Sequence, residues 1–155
     1  MKARLLILAI VLVAFVAPKG FAQEADKVLG YWLTQYKDSQ VKIFKASNGK
    51  YYGEVRWLEN PNEEDGTPKL DDENEDESLR NKPILGLQIL KDFEYNADDQ
   101  EWTEGTIYDP KNGKKYSCYM WFEDGDKNTL HVKGYIGFSL LGREVAWTRE
   151  DKLRE

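Results

Sequence analysis

The sequence predicts an all-β fold, an antiparallel up-and-down β-barrel of about eight strands with one long acidic loop. Short runs rich in β-branched and aromatic residues recur along the chain, and clusters of Gly, Asn and Asp separate them. No segment shows the apolar period of an amphipathic helix. A closed barrel also leaves no exposed strand edges. A β-sandwich needs the same alternation of two faces and is the competing architecture.

The strands follow from these runs in chain order. They are predicted near residues 28–34, 40–46, 50–58, 86–95, 101–108, 114–122, 129–136 and 143–149. Three connections, at 47–50, 109–114 and 124–128, hold Gly or Asn residues that supply the positive φ of tight hairpins. Short strands joined mostly by hairpins are what an up-and-down barrel requires.

Residues 1–22 have the pattern of a secretory signal peptide. Lys2 and Arg4 precede an apolar run, and a small-residue site ends at Ala22. The run is about a dozen residues long, which is too short for a transmembrane helix, and no second apolar stretch follows. We therefore expect cleavage at about Ala22 and a soluble, exported, periplasmic protein whose residues 23–155 form a single barrel domain.

The charge of this expected mature chain argues against several functions. The full chain has 22 basic and 28 acidic side chains, and loss of the three basic residues in 1–22 changes the net charge from -6 to -9. Such a chain does not suit a nucleic acid or an anionic lipid surface as partner. Its one cysteine, Cys118, cannot form an internal disulfide, so the core must hold the fold.

The excess negative charge lies in one segment. Residues 59–77 contain ten acidic residues and the single base Lys69, and Pro61 and Pro68 interrupt them. Like charges at this density repel, so we expect residues 59–84 to form a solvated loop insertion whose deletion leaves the barrel intact.

Two alternating acidic runs in the chain invite a calcium site. They begin at Asp72 and at Asp124, but neither continues with the Gly and Glu that an EF-hand loop requires. We predict no specific metal site and no cofactor, and weak, nonspecific binding of divalent ions by the loop stays open.

No catalytic residue is predicted, although two arrangements in the sequence resemble catalytic groups. Cys118 and His131 lie on strands expected to pair, but a reactive thiol also needs a lowered pKa, a cleft and an oxyanion site. Glu54, Glu104 and Glu144 all lie in predicted strands, yet nothing in the sequence gives two of them different environments. A weak hydrolase is therefore the third of our functional hypotheses.

The first and last predicted strands carry the sharper signal. Gly30 and Trp32 open the domain, and Trp147 and Arg149 end it. In a closed barrel these strands are neighbours, so the Arg149 guanidinium can cover the Trp32 indole and seal one end. A Gly-x-Trp motif with an Arg on the last strand resembles the structural signature of the calycins, the lipocalin-like ligand-binding barrels.

The resemblance becomes more specific along nearly the whole mature chain. The sequence is similar to the exported bacterial family catalogued as domain of unknown function 2147. The matching stretches are residues 30–32, 52–55, 57–58, 79–87, 105–110, 113–114, 133–137, 141–143 and 147–149. The resemblance implies a lipocalin-like barrel but no activity, because the family's function is itself unassigned.

Strand alternation selects candidate ligand-binding residues. Tyr51 and Trp57 share the face predicted to point inward, while the face of Glu104 and Tyr108 is ambiguous. An inward Glu104 would be a buried carboxylate in need of a partner. With Trp121, which is another large ring, these residues form the predicted ligand site.

These observations predict a non-catalytic barrel. It binds a small, partly apolar molecule, a peptide or a glycan, either inside the barrel or at its mouth. The alternative is a barrel filled by its own side chains that serves as an interaction or stress-related module of the cell envelope. A barrel of this size is compatible with both. The partner is therefore an unknown small molecule or an envelope component, and the oligomeric state is not predicted.

Overall fold

Eight antiparallel strands make up the fold of the computed structural model, which describes residues 23–137 and 142–155. The strands are β1 (Gly30–Leu33), β2 (Ser39–Lys45), β3 (Tyr51–Leu58), β4 (Gln88–Asn96), β5 (Glu101–Asp109), β6 (Lys114–Trp121), β7 (Thr129–Tyr135) and β8 (Gly142–Glu150). Each agrees with a predicted strand to within a few residues. The only helical structure described outside the long loop is a short turn at residues 23–28, which includes a 3₁₀ helix at Asp26–Val28.

The strands form one closed sheet in which each strand pairs with its neighbours in sequence, and β1 pairs with β8. In that last pairing, Trp32 lies opposite Arg149 and Leu33 lies opposite Thr148. The predicted up-and-down barrel is therefore confirmed, and a β-sandwich is excluded. The predicted signal peptide lies outside the described residues. Within the described residues, no helix has the length and apolarity needed to cross a membrane.

The segment before β1 closes one end of the barrel. The Trp32 Nε1 donates a hydrogen bond to the Val28 carbonyl at 2.8 Å, and the Trp102 Nε1 donates one to the Ala25 carbonyl at 3.0 Å. Both indoles are buried, and a buried N–H without an acceptor would be costly. The segment thus supplies the acceptors that the Trp32 and Trp102 indoles need, and we call residues 23–29 the N-terminal plug.

Arg149 fastens the N-terminal plug to the last strand. Its guanidinium carbon lies 4.2 Å from the centre of the Trp32 ring. Its N–H groups donate to three backbone carbonyls, those of Lys27 at 2.5 Å, Leu29 at 3.0 Å and Lys127 at 2.7 Å. Gly30 has a φ of 128°, and a Cβ there would lie 3.2 Å from the Arg149 Nη1, so a side chain at this position would crowd the guanidinium.

Side chains fill the described interior of the barrel. The largest of those that are fully buried are Trp32, Trp102, Tyr51, Phe93, Ile43, Leu90, Met120 and Leu130. Packing is close enough to require glycine, because a Cβ on Gly105 would lie 2.4 Å from the Phe93 ring. Trp147, which is 3% exposed, extends the same core from β8. The core therefore occupies space that an open barrel would leave for a ligand.

The long loop between β3 and β4, residues 59–87, differs from the predicted solvated excursion. Most of its side chains are exposed, but Asp71 is fully buried. The Asp71 carboxylate accepts hydrogen bonds from the Tyr108 hydroxyl at 2.6 Å and from the Asn74 amide at 2.7 Å. The backbone N–H of Asp71 donates to the Lys82 carbonyl at 2.9 Å. One acid of the run is thus a buried anchor, which holds the loop against β5.

We expect Arg149→Ala to lower the free energy of unfolding by about 2–4 kcal/mol, because it removes several charge-assisted hydrogen bonds and leaves partly buried carbonyls without a donor. Arg149→Lys keeps the charge but not the planar guanidinium, so its free energy of unfolding should lie between those of the wild type and Arg149→Ala. Thermal and urea denaturation followed by circular dichroism measure both effects. An unchanged melting temperature for Arg149→Ala would show that the guanidinium does not stabilise the closed barrel.

We expect Asp71→Ala to destabilise the protein by about 1–3 kcal/mol, because the Tyr108 hydroxyl and the Asn74 amide lose their acceptor. Trypsin should also cut the variant faster after Lys69 and Arg80, which lie in the loop. Asp72→Ala is the matched control, since Asp72 is exposed and next in sequence. Equal stability and equal cleavage of the two variants would show that Asp71 is not an anchor.

Candidate functional site

The five predicted ligand-binding residues do not converge on one interior site. Tyr51 is the only one that is buried, with 2% of its surface exposed, and it lies against the N-terminal plug. Its hydroxyl donates a hydrogen bond to the Asp26 carboxylate at 2.7 Å. Burial, together with the negative Asp26, raises the pKa of the Tyr51 hydroxyl to about 12. Tyr51 therefore joins two structural elements at the closed end.

Trp57 lies on the outer face of β3, although alternation predicts an inward position. The register shifts between Gln40 and Val41, so that Val41 pairs with Val55 but Gln40 pairs with Trp57, and Arg56 has no partner. This β-bulge reverses the facing of every residue beyond it. The C-terminal residues cover the ring, with the Arg154 guanidinium 5.1 Å from its centre and the Glu155 carbonyl accepting from its Nε1 at 3.1 Å.

A second bulge settles the ambiguous facing of β5. Trp102 pairs with Met120 and Gly105 pairs with Cys118, so Thr103 and Glu104 together oppose the single residue Tyr119. Glu104 has a φ of 59° and is exposed. The Glu104 carboxylate is therefore at the surface and not in the core.

Tyr108 and Trp121 lie apart from each other, Tyr108 beneath the long loop and Trp121 on the outer face of β6. The Tyr108 hydroxyl is bound to Asp71 beneath the long loop, and burial with the nearby carboxylate raises its pKa. Trp121 stands on the outer face of β6, where its ring stacks between those of Tyr119, at 5.2 Å, and His131, at 5.1 Å. Of the five residues, only Glu104 and Trp121 lie near each other in the sheet, on the outside of the barrel.

A groove of about 480 Å³ crosses the outer face of the sheet at this place. We call it the β5–β7 groove. Its lining residues are Glu101, Thr103, Glu104, Gly105, Thr106, Ser117, Cys118, Tyr119 and Tyr135. Thr106 pairs with Ser117, which pairs with Tyr135, and the neighbouring row of Gly105, Cys118 and Gly134 faces the core. The register thus places the polar and aromatic lining outside the barrel.

The lining combines aromatic rings, hydroxyl groups and carboxylates. The rings of Tyr119 and Tyr135 have centres 6.1 Å apart and planes at 61° to each other. Burial raises the pKa of the Glu101 carboxyl, and the negative Asp99 adds to the shift. No lysine or arginine is among the described lining residues. The groove therefore offers apolar surface, hydrogen-bonding groups and negative charge.

Sequence reasoning did not assign Tyr135, Glu101, Thr106 or Ser117 to a site. The available signal was the outward row of each strand, because β6 alternates Ser117, Tyr119 and Trp121 on its wet face and β7 carries Tyr135. A wet face with several aromatic rings is unusual enough to mark a binding surface. Inward-facing positions alone do not include these residues.

The described residues do not form the catalytic arrangements that the sequence raised. Cys118 pairs with Gly134, whereas His131 pairs with Trp121 and lies on the opposite face of the sheet. Burial raises the pKa of the Cys118 thiol, which disfavours the reactive thiolate. Glu54, Glu104 and Glu144 lie on β3, β5 and β8, none of which neighbour one another. Residues 23–137 and 142–155 contain no cluster of three metal-ligating side chains.

We expect the Cys118 thiol of the native protein to resist iodoacetamide at pH 8, because it is 2% exposed and held as a thiol. The same protein in denaturant should be alkylated fully. Mass spectrometry of the two reactions over several hours measures the difference. Native alkylation as fast as that of the denatured chain would show that Cys118 is accessible and reopen its role as a nucleophile.

Comparison with known proteins agrees with the predicted resemblance. The model of a family described as uncharacterized proteins conserved in bacteria, domain of unknown function 2147, matches residues 30–149. Among solved structures, the chain is similar to a protein of the human pathogen Helicobacter pylori that is described as belonging to the lipocalin family. That match has a TM-score of 0.65 and 25% sequence identity, and it covers 80% of this chain and 83% of that chain. No curated protein matches the sequence.

Proposed function

Because this chain belongs to the bacterial family described as domain of unknown function 2147 and folds as a lipocalin-like barrel, we propose that it is a non-catalytic binding protein. Its ligand is a small, partly apolar molecule, and the ligand binds in the β5–β7 groove. The observation that carries this proposal is the division of the molecule into a filled interior and an aromatic outer groove.

The interior is the less suitable place for a ligand. Phe93, Met120 and Leu130 are fully buried members of one hydrophobic core. A molecule of ligand size would have to displace them, and opening space in a packed core costs several kcal/mol for each large side chain that is moved. The β5–β7 groove needs no such rearrangement, because its volume already lies in the range of small-molecule sites.

The chemistry of the groove suits an amphipathic molecule. The Tyr119 and Tyr135 rings supply apolar surface with little flexibility, and the hydroxyls of Thr103, Thr106 and Ser117 can donate or accept hydrogen bonds. Two rings set among hydroxyl and carboxylate groups give the groove a mainly polar lining, which suits a polar ligand with a smaller apolar part. Catalysis is not part of the proposal, because the candidate nucleophile Cys118 is buried in the core.

Export is part of the same proposal. Residues 1–22 have the basic start, apolar run and small-residue end of a signal peptide. Cleavage at about Ala22 would keep Ala25, Lys27 and Val28, whose carbonyls accept hydrogen bonds from Trp102, Arg149 and Trp32. The mature protein would then meet its ligand in the periplasm.

Chemical-shift mapping of the mature protein tests the proposed site. We expect a panel of methyl glycosides, dipeptides, aromatic alcohols and alkylamines to contain members that move amide signals of Thr106, Ser117, Tyr119 and Tyr135 in a saturable way. Tyr135→Ala should weaken such a ligand by about fivefold or more, because a ring that lines a pocket contributes about 1 kcal/mol or more.

Tyr31→Ala is the matched control, because Tyr31 is a half-buried ring on β1, on another side of the barrel. It should leave affinity unchanged. Saturable shifts of Leu130, Val132 and Met120 with an unaffected groove would place the ligand inside the barrel instead. A panel without any saturable binding would contradict the proposed function itself.

A further inference from the structure

We infer that the ligand of the β5–β7 groove is a small organic cation, with an alkylated or quaternary ammonium group on a short polar body. This inference rests on the proposed function and names the ligand class of the same groove. It depends on three features of the lining, namely its charge, the arrangement of its rings and its hydroxyl groups.

The charge of the lining is negative, and neither of its carboxylates has an ion-pair partner among the described residues. Glu101 and Glu104 are its only charged side chains. Among the described residues, no lysine, arginine or histidine nitrogen lies within 4.0 Å of either carboxylate. By contrast, four glutamates on the outer face of other strands each have such a partner, namely Glu54, Glu94, Glu144 and Glu150. A bound cation would supply the missing partner of the two groove carboxylates.

The Tyr119 and Tyr135 rings form an edge-to-face pair, which we call the aromatic corner, and offer a cation further attraction. The rings are in edge-to-face contact, with planes at 61°, so a cation would lie over the ring face that this contact leaves free. The ring of Tyr119 is held by stacking on Trp121, whose indole N–H in turn donates to Glu123. Two or more fixed rings beside carboxylates are the arrangement that binds quaternary ammonium groups through cation–π attraction.

Two lysines stand beside groove residues in the sheet, Lys91 opposite Thr106 and Lys133 opposite Tyr119. Lys133 lies on β7, where it pairs with Tyr119 of β6 and with Glu144 of β8, and it does not line the groove. Its charge opposes a cation from one side, so Lys133→Gln should tighten binding of the cation and leave binding of a neutral molecule unchanged.

An organic cation fits the lining better than a metal ion. The described residues hold no group of three metal-ligating side chains, and a hard metal ion requires several oxygen ligands in place of its water. An alkylated ammonium group is weakly hydrated and can leave water for the aromatic corner. The hydroxyls of Thr103, Thr106 and Ser117 are then available for the polar body of the ligand.

Choline and its neutral isostere 3,3-dimethyl-1-butanol test the inference, because they share shape and size and differ in charge. We expect choline to shift the amide signals of Glu104, Ser117, Tyr119 and Tyr135, and the isostere to bind about tenfold or more weakly. Potassium chloride at the same concentration controls for ionic strength and should not produce these saturable shifts.

Two matched pairs of variants complete the test. Glu104→Gln should weaken choline by about threefold or more, whereas Glu64→Gln, the same charge change in the exposed part of the long loop, should not. Tyr135→Phe keeps the ring and should retain binding, whereas Tyr135→Leu should weaken it by about fivefold. Thermal melts of all four variants exclude loss of folding as the cause.

The outcomes separate this inference from the proposed function. Equal affinity for choline and its isostere, or no effect of Glu104→Gln, would overturn the organic-cation class. If neutral members of the ligand panel still bind the groove in that case, the proposed function stands. If choline gives no saturable shifts, the inference is overturned whatever the panel shows.

Discussion

The contact between Arg149 and the N-terminal plug is the interaction on which the rest of this barrel depends. Closing the sheet requires β1 to pair with β8, although β1 has only four residues. Such a short strand gives few ladder hydrogen bonds. The guanidinium adds cover for the Trp32 ring and hydrogen bonds to three carbonyls, two of which belong to the plug. The Arg149 side chain thus joins the last strand, the first strand and the N-terminal plug.

Closure in this form also determines where a ligand can bind. The N-terminal plug brings its backbone carbonyls to the indoles of Trp32 and Trp102, so two large rings can be buried without unpaired N–H groups. Phe93 and Met120 extend the same core. Because these side chains occupy the described interior, binding chemistry is left to the outer face, where β5, β6 and β7 carry rings and polar groups together.

Much of the fold is predictable from the sequence because its signals are local. Alternating apolar residues and turn residues at positions such as Asn48 and Gly113 locate the strands and hairpins, and the pair of Trp32 and Arg149 indicates closure. The facing of Trp57 and Glu104 is not predictable in the same way. Each depends on one extra residue in a strand, and a bulge carries no clear mark in an isolated sequence. The burial of Asp71 is likewise hidden, because it is one of ten acids whose partner, Tyr108, is distant in the chain.

The central claim is that this barrel binds its ligand on the outside of the sheet. A crystal structure of the mature protein with the tightest-binding member of the ligand panel tests that claim most directly. We predict ligand density in the β5–β7 groove, in contact with Tyr119 and Tyr135, and Phe93 still packed against Gly105. Ligand density inside the barrel, with Phe93 or Met120 displaced, would contradict the account.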